Sequence, residues 1–142
     1  MCIDKLCADI ESAYQKSISS HRTFHEMIRK LMKQQNWNST IFYEKTELNK
    51  KIYSDLKRPD YTPTMRIIVS ICVGLKTDIH TADTLLAAAG LAFSPTNRVH
   101  MAYRKLIDLC SLFKLGIEDC NEILRKLNIE RKHDLGSLSR DE

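Results

Sequence analysis

At 142 residues and 16.4 kDa the chain has the size of one domain, and its 43% hydrophobic and 28% charged residues exclude wholesale disorder and fibrous repeats. Four Gly and three Pro are too few for the turns of a sandwich or barrel, and the longest apolar run, nine residues at 85–93, is about half a membrane span. The formal net charge of +4 is concentrated, since residues 22–66 carry ten cations against five acids, residues 1–21 two against three and residues 67–142 ten against ten; a polyanion is drawn to the middle third.

Ile3, Leu6, Cys7, Ile10, Ala13 and Tyr14 recur at three- and four-residue spacing, which predicts an amphipathic helix over residues 1–21. Asp4, Lys5, Asp9 and Glu11 interrupt the same segment, so it does not read as a secretory signal, and a cytoplasmic protein with no membrane partner is expected. Ser19, Ser20, His21 and Arg22 break the stripe. Thr23 and Glu26 then form a capping box that starts a second helix over residues 24–35, with Phe24, Met27, Ile28, Leu31 and Met32 on its apolar side and Arg29, Lys30 and Lys33 opposite.

Residues 36–40 are polar, and Asn38 or Ser39 can cap a short helix at 40–46 by accepting from amides that lack a partner in the first turn. Asn49 can cap another at 50–56. Two short helices three residues apart, with Leu48 as an apolar plug between them, have the spacing of a helix-turn-helix. The second presents Lys50, Lys51 and Ser54 outward, with Ile52, Tyr53 and Leu56 inward or along the flank.

Residues 57–62 read as a loop, and Pro63 opens a helix to about residue 73 that buries Ile67, Ile68, Ile71 and Cys72 and ends at a left-handed Gly74. A helix over 81–89 closes at Gly90. Ser94 and Pro95 open a longer one to residue 113, with Val99, Ala102, Leu106, Ile107, Cys110 and Phe113 on one face; Gly116 ends it. The last helix, 117–127, turns Cys120, Ile123, Leu124 and Leu127 inward, and beyond Asn128 the polar chain is expected to fray, with residues 131–142 as a tail.

Cys2, Cys7, Cys72, Cys110 and Cys120 include no Cys-x-x-Cys pair, so they read as reduced, mostly apolar filler. His21 and His25 stand at i and i+4 but have no third ligand nearby, and read as surface histidines. No metal site and no cofactor is expected. With no Gly-rich phosphate loop, no nucleophile elbow and no activated Cys/His pair, the chain reads as a non-enzyme. Asp83 and Asp108, the acids in the most apolar surroundings, read as polar-face helix residues.

The stretch Phe24-His-Glu-Met-Ile-Arg-Lys-Leu-Met, the stretch Ile41-Phe-Tyr-Glu-Lys-Thr-Glu-Leu-Asn-Lys-Lys-Ile-Tyr-Ser-Asp-Leu, then Pro63-Thr-Met-Arg-Ile-Ile-Val-Ser-Ile-Cys-Val-Gly-Leu and Ala82-Asp-Thr-Leu-Leu-Ala-Ala-Ala-Gly follow one another at close intervals. Together they resemble the phage-repressor-like helix-turn-helix family of the Cro and xenobiotic-response-element type, over about residues 22–92. The resemblance implies an all-α, lambda-repressor-like DNA-binding domain of about five helices at 22–92, with an extra helix at 1–21 and a helical extension at 93–130.

It further implies a sequence-specific transcriptional regulator, repressor-like and nucleoid-associated, that inserts the helix at 50–56 into the major groove of double-stranded DNA. Lys50, Lys51 and Ser54 are then the base-edge candidates, with Asn49 and Tyr53 second. Asn38, Ser39 and Thr40 would hold a phosphate, and Lys57, Arg58 and Tyr61 would grip the backbone. One small domain reads few base pairs, so a homodimer is expected, its contact assigned to residues 95–127 and next to the amino-terminal helix. The alternative is an antitoxin or adaptor whose carboxyl-terminal helices hold a toxin or other regulator.

Overall fold

The fold is given by a computed structural model that describes residues 2–136, with side chains at 17–22 left out of the description. Among the described residues it is all-helical: α1 (Ile3–Gln34), α2 (Ser39–Thr46), α3 (Lys50–Asp55), α4 (Met65–Leu75), α5 (Ile79–Ala88), α6 (Arg98–Phe113), α7 (Ile117–Lys126) and a 3₁₀ turn at Arg131–His133. None of these helices is long and apolar enough to cross a membrane.

Every residue of α4 from Ile67 to Leu75 is buried, and a helix apolar all round belongs at the centre. It touches α2, α5, α6 and α7, while α1 lies on α5 and α2 on α3. Phe24 and Ile28 of α1, Phe42 of α2, Leu48, and Ile52 and Leu56 around α3 close one side of the core; Leu106, Ile107, Cys110, Cys120 and Leu124 close the other. Gly74 sits within α4 because α2 comes too near for a side chain: a Cβ there would stand 3.0 Å from the Lys45 carbonyl oxygen and 3.1 Å from Trp37. The left-handed residue that ends α4 is Lys76, not the expected Gly74.

Several boundaries differ from the sequence reading for local reasons. The expected break at Ser19–Arg22 is absent, and α1 runs unbroken for 32 residues; none of those four residues is Gly or Pro, so nothing in the backbone forces an end. Asn97 caps α6 through a bond from the His100 amide, which starts the helix at Arg98 instead of at Pro95. Lys114 ends it in the left-handed conformation, and Gly116 serves as the cap of α7, with its amide donating to Asp119 at 2.9 Å.

The expected fraying beyond Asn128 gives way to a docked strap over residues 129–136. Ile129 and Leu135 are buried in the core. The Asn121 side chain pairs with both backbone groups of Leu135, donating at 3.0 Å and accepting at 2.7 Å, and the Gly136 amide donates to the buried Ser70 hydroxyl at 2.9 Å. Arg125 pairs with the buried Asp134, and the Tyr103 hydroxyl donates to the His133 carbonyl. The end of the strap lies on the α2–α3 turn, where a Cβ on Gly136 would stand 2.6 Å from the Thr46 carbonyl oxygen. The last part of the expected tail, residues 137–142, lies outside the described residues.

Cys72, Cys110 and Cys120 are buried as filler, whereas Cys2 and Cys7 are exposed; all five are free thiols. Asp83 and Asp108 sit at the surface of their helices beside Arg104 (3.3 Å) and Lys105 (3.8 Å).

Candidate nucleic-acid interface

Two side-chain caps set the geometry of α2 and α3. Asn38 accepts from the Ile41 amide at 2.9 Å and Asn49 accepts from the Ile52 amide at 3.0 Å, so each short helix begins where an amide oxygen satisfies a first-turn donor. Glu47 takes the left-handed conformation at φ 55° in the turn between them. The Thr46 hydroxyl donates to the Phe42 carbonyl and accepts from the Leu48 amide, which turns Leu48 into the core as the plug the sequence suggests.

With Ile52 and Leu56 buried, the opposite side of α3 is fixed. Lys50, Lys51 and Ser54 are exposed on it, and Lys57 continues the surface one turn on. Among the described residues, Lys50, Lys51 and Lys57 have no acid within ion-pair distance. Arg58 is engaged differently, lying 3.4 Å from Asp55 at the end of α3 and 3.9 Å from Asp60 in its own loop, so its charge is partly answered there. Asn38 and Thr40 are exposed, and Ser39 and Asn49 half-buried, all at the amino ends of α2 and α3. The oxygens of Asn38 and Asn49 are committed to their caps.

Tyr53 is half-buried in an aromatic cluster, its ring centre 5.0 Å from Phe42 and 6.0 Å from Tyr43, and the Lys57 ammonium lies 4.8 Å from the centre of the Tyr53 ring. That contact holds Lys57 near α3 by attraction of a cation to a ring face. Tyr61 is half-buried, and its hydroxyl pKa is raised, first by burial and then by the nearby Asp55.

The sequence reading missed His25. It is buried, against the expected surface position, and its ring reaches two carbonyls: Nδ1 is 2.9 Å from the Leu56 oxygen and Nε2 is 3.0 Å from the Tyr61 oxygen. A carbonyl only accepts, so both contacts are hydrogen bonds together only for the doubly protonated ring, and the neutral ring donates to one of them. Either way His25 ties the loop bearing Lys57 and Arg58 to α1. The signal was available in its neighbours, since His25 lies beside Phe24 on the same apolar stripe. The side chain of His21 lies outside the described residues.

The extension at 95–127 presents little of its stripe. Leu106, Ile107, Cys110, Cys120 and Leu124 are buried within the chain, and Leu112, Phe113 and Leu127 remain outside. The largest exposed apolar run is on α1, where Ile3 is 71% exposed, Ile10 69% and Tyr14 59%, with Leu6 between.

Comparison of the chain with family models, curated proteins and solved structures finds no match.

Proposed function

We propose that the chain is a sequence-specific DNA-binding regulator of transcription, repressor-like in action, whose residues 22–92 form a lambda-repressor-like helix-turn-helix domain. α3 lies in the major groove, Lys50, Lys51 and Ser54 face base edges with Asn49 and Tyr53 at the margin, and Asn38, Ser39, Thr40, Lys57 and Arg58 contact phosphates. The observation that carries this reading is the outward face of α3 and the turn after it: Lys50 and Lys51 on the helix and Lys57 just beyond it are exposed and, among the described residues, have no acid within ion-pair distance, while the other side is locked into the core by Ile52 and Leu56. Ordinary solvated lysines are as exposed; what sets these apart is that α3 is capped at its start by Asn49 and held on the body by Ile52 and Leu56.

Two half-sites on a duplex need two copies of such a domain. Because the apolar stripe of residues 95–127 is largely consumed inside the chain, the dimer contact is assigned to the exposed face of α1 at Ile3, Leu6, Ile10 and Tyr14. The same exposed face favours the second reading, an antitoxin or adaptor that holds another protein.

Fluorescence anisotropy with mixed-sequence duplex DNA across a salt series separates the two. DNA binding predicts affinity that falls steeply with salt, with a slope about one unit shallower for Lys57→Ala. No binding at low salt would overturn the DNA reading and leave the protein-partner reading.

A further inference from the structure

A groove of about 600 Å³ runs between the carboxyl half of α1 and α3, within the size range of small-molecule sites. Its walls include Arg29, Lys33 and Lys57, together with Met32, Trp37 and Tyr53, and no carboxylate lines it. Arg29 and Lys33 are one helical turn apart on α1 and so share a face. Among the described residues none of the three cations has an acid within ion-pair distance, so the concavity carries an excess of positive charge.

We propose that this groove binds a purine mononucleotide, with the phosphate on Arg29, Lys33 and Lys57 and the base against Trp37 and Tyr53. Each half of the groove calls for one half of that ligand. A phosphate carries close to two negative charges at neutral pH, and an arginine fork matches its oxygens in pairs. A purine offers a flat face to an indole or phenol ring, a contact that needs no particular base edge. An inorganic anion would leave the aromatic wall bare, and an uncharged apolar ligand would leave Arg29 and Lys33 without an anionic partner. The site shares Lys57 and Tyr53 with the proposed DNA face, so nucleotide and DNA would compete for them, but its test is made without DNA and does not rest on that reading.

Trp37 is the only tryptophan in the chain, so its emission reports on the groove directly. The full-length protein is titrated without DNA, with excitation at the red edge of tryptophan absorption, using adenosine or guanosine 5′-monophosphate, inorganic phosphate, and adenosine. The expected result is a saturable emission change with a mononucleotide, at a midpoint at least tenfold below those for phosphate and adenosine. Lys33→Glu and Arg29→Glu should each raise the mononucleotide midpoint at least tenfold with an unchanged melting temperature, because both side chains are exposed. Lys33→Gln should give a smaller shift in the same direction. The proposal fails if the mononucleotide response never saturates in the millimolar range or is the same in Lys33→Glu. It also fails if phosphate alone, or adenosine alone, binds as tightly as the mononucleotide.

Discussion

The two halves of α1 have the same helical periodicity and opposite surroundings. From Phe24 onward the apolar side is sealed, with Phe24 and Ile28 essentially inaccessible, whereas every described side chain from Cys2 to Lys16 is exposed. An amphipathic pattern therefore states that a face needs cover without stating whose residues provide it. In the body the cover comes from this chain; at the amino end no described residue of this chain supplies it. The DNA face proposed on α3 belongs to the body, and the proposed dimer contact belongs to the uncovered half.

That contrast is broken most strongly at the centre. Ile68→Ala, in the fully buried α4, should cost about 2–5 kcal/mol in chemical denaturation through lost burial and a residual cavity. Ile10→Ser should change the stability of the isolated chain by no more than about 0.5 kcal/mol. It should nevertheless shift the molecule toward monomer in sedimentation, and a large destabilisation from Ile10→Ser would mean that the amino half is packed after all. Next comes the strap: Gly136→Ala puts a Cβ against the Thr46 carbonyl at a residue with φ 62°, and should cost about 1–3 kcal/mol. An unchanged denaturation midpoint would show that the strap is not held on the α2–α3 turn.

His25→Leu should cost about 1–3 kcal/mol by removing the ring's hydrogen bonding to the loop carbonyls of Leu56 and Tyr61, one bond for a neutral ring and two for a protonated one. A larger loss of DNA affinity than of stability would show that the loop with Lys57 needs that tether. The smallest effect is at the surface. Asp78 caps α5, and the bond from the Thr81 amide holds its carboxyl below the ordinary range. A lowered folded-state pKa gives stability that is present above the unfolded value and lost as pH falls through the folded one. Asp78→Ala should therefore be less stable than wild type at neutral pH, with the gap closing in acid; a gap independent of pH would argue against the cap.

What was legible in the sequence is what local chemistry dictates. Asn38 and Asn49 announce α2 and α3 because an Asn oxygen can reach the third amide on, and Leu48 announces the plug because it is the lone apolar residue between them. What was hidden depends on distant partners. Gly74 reads as a helix end until α2 is placed beside it, and a polar run with only Ile129 and Leu135 to anchor it reads as loose until Asn121 and Ser70 are seen to meet its backbone. The continuity of α1 was hidden because a Thr-x-x-Glu capping pair is compatible with a helix interior as well as with a start. The outward set Lys50, Lys51 and Ser54 follows from periodicity alone, whereas the groove joining Arg29 and Lys33 to Lys57 requires α1 to be placed beside the end of α3.

The central claim is that α3 reads base edges, and the most direct measurement is the ratio of affinities for a duplex selected from random sequence and for unselected duplex, in Lys51→Ala and in Lys126→Ala. Both residues are exposed lysines, but Lys126 is on α7, beside Glu122 of the same helix, and is not among the residues assigned to DNA. Loss of one base contact predicts a ratio about tenfold smaller for Lys51→Ala and unchanged for Lys126→Ala. Equal ratios in the two variants would contradict the account.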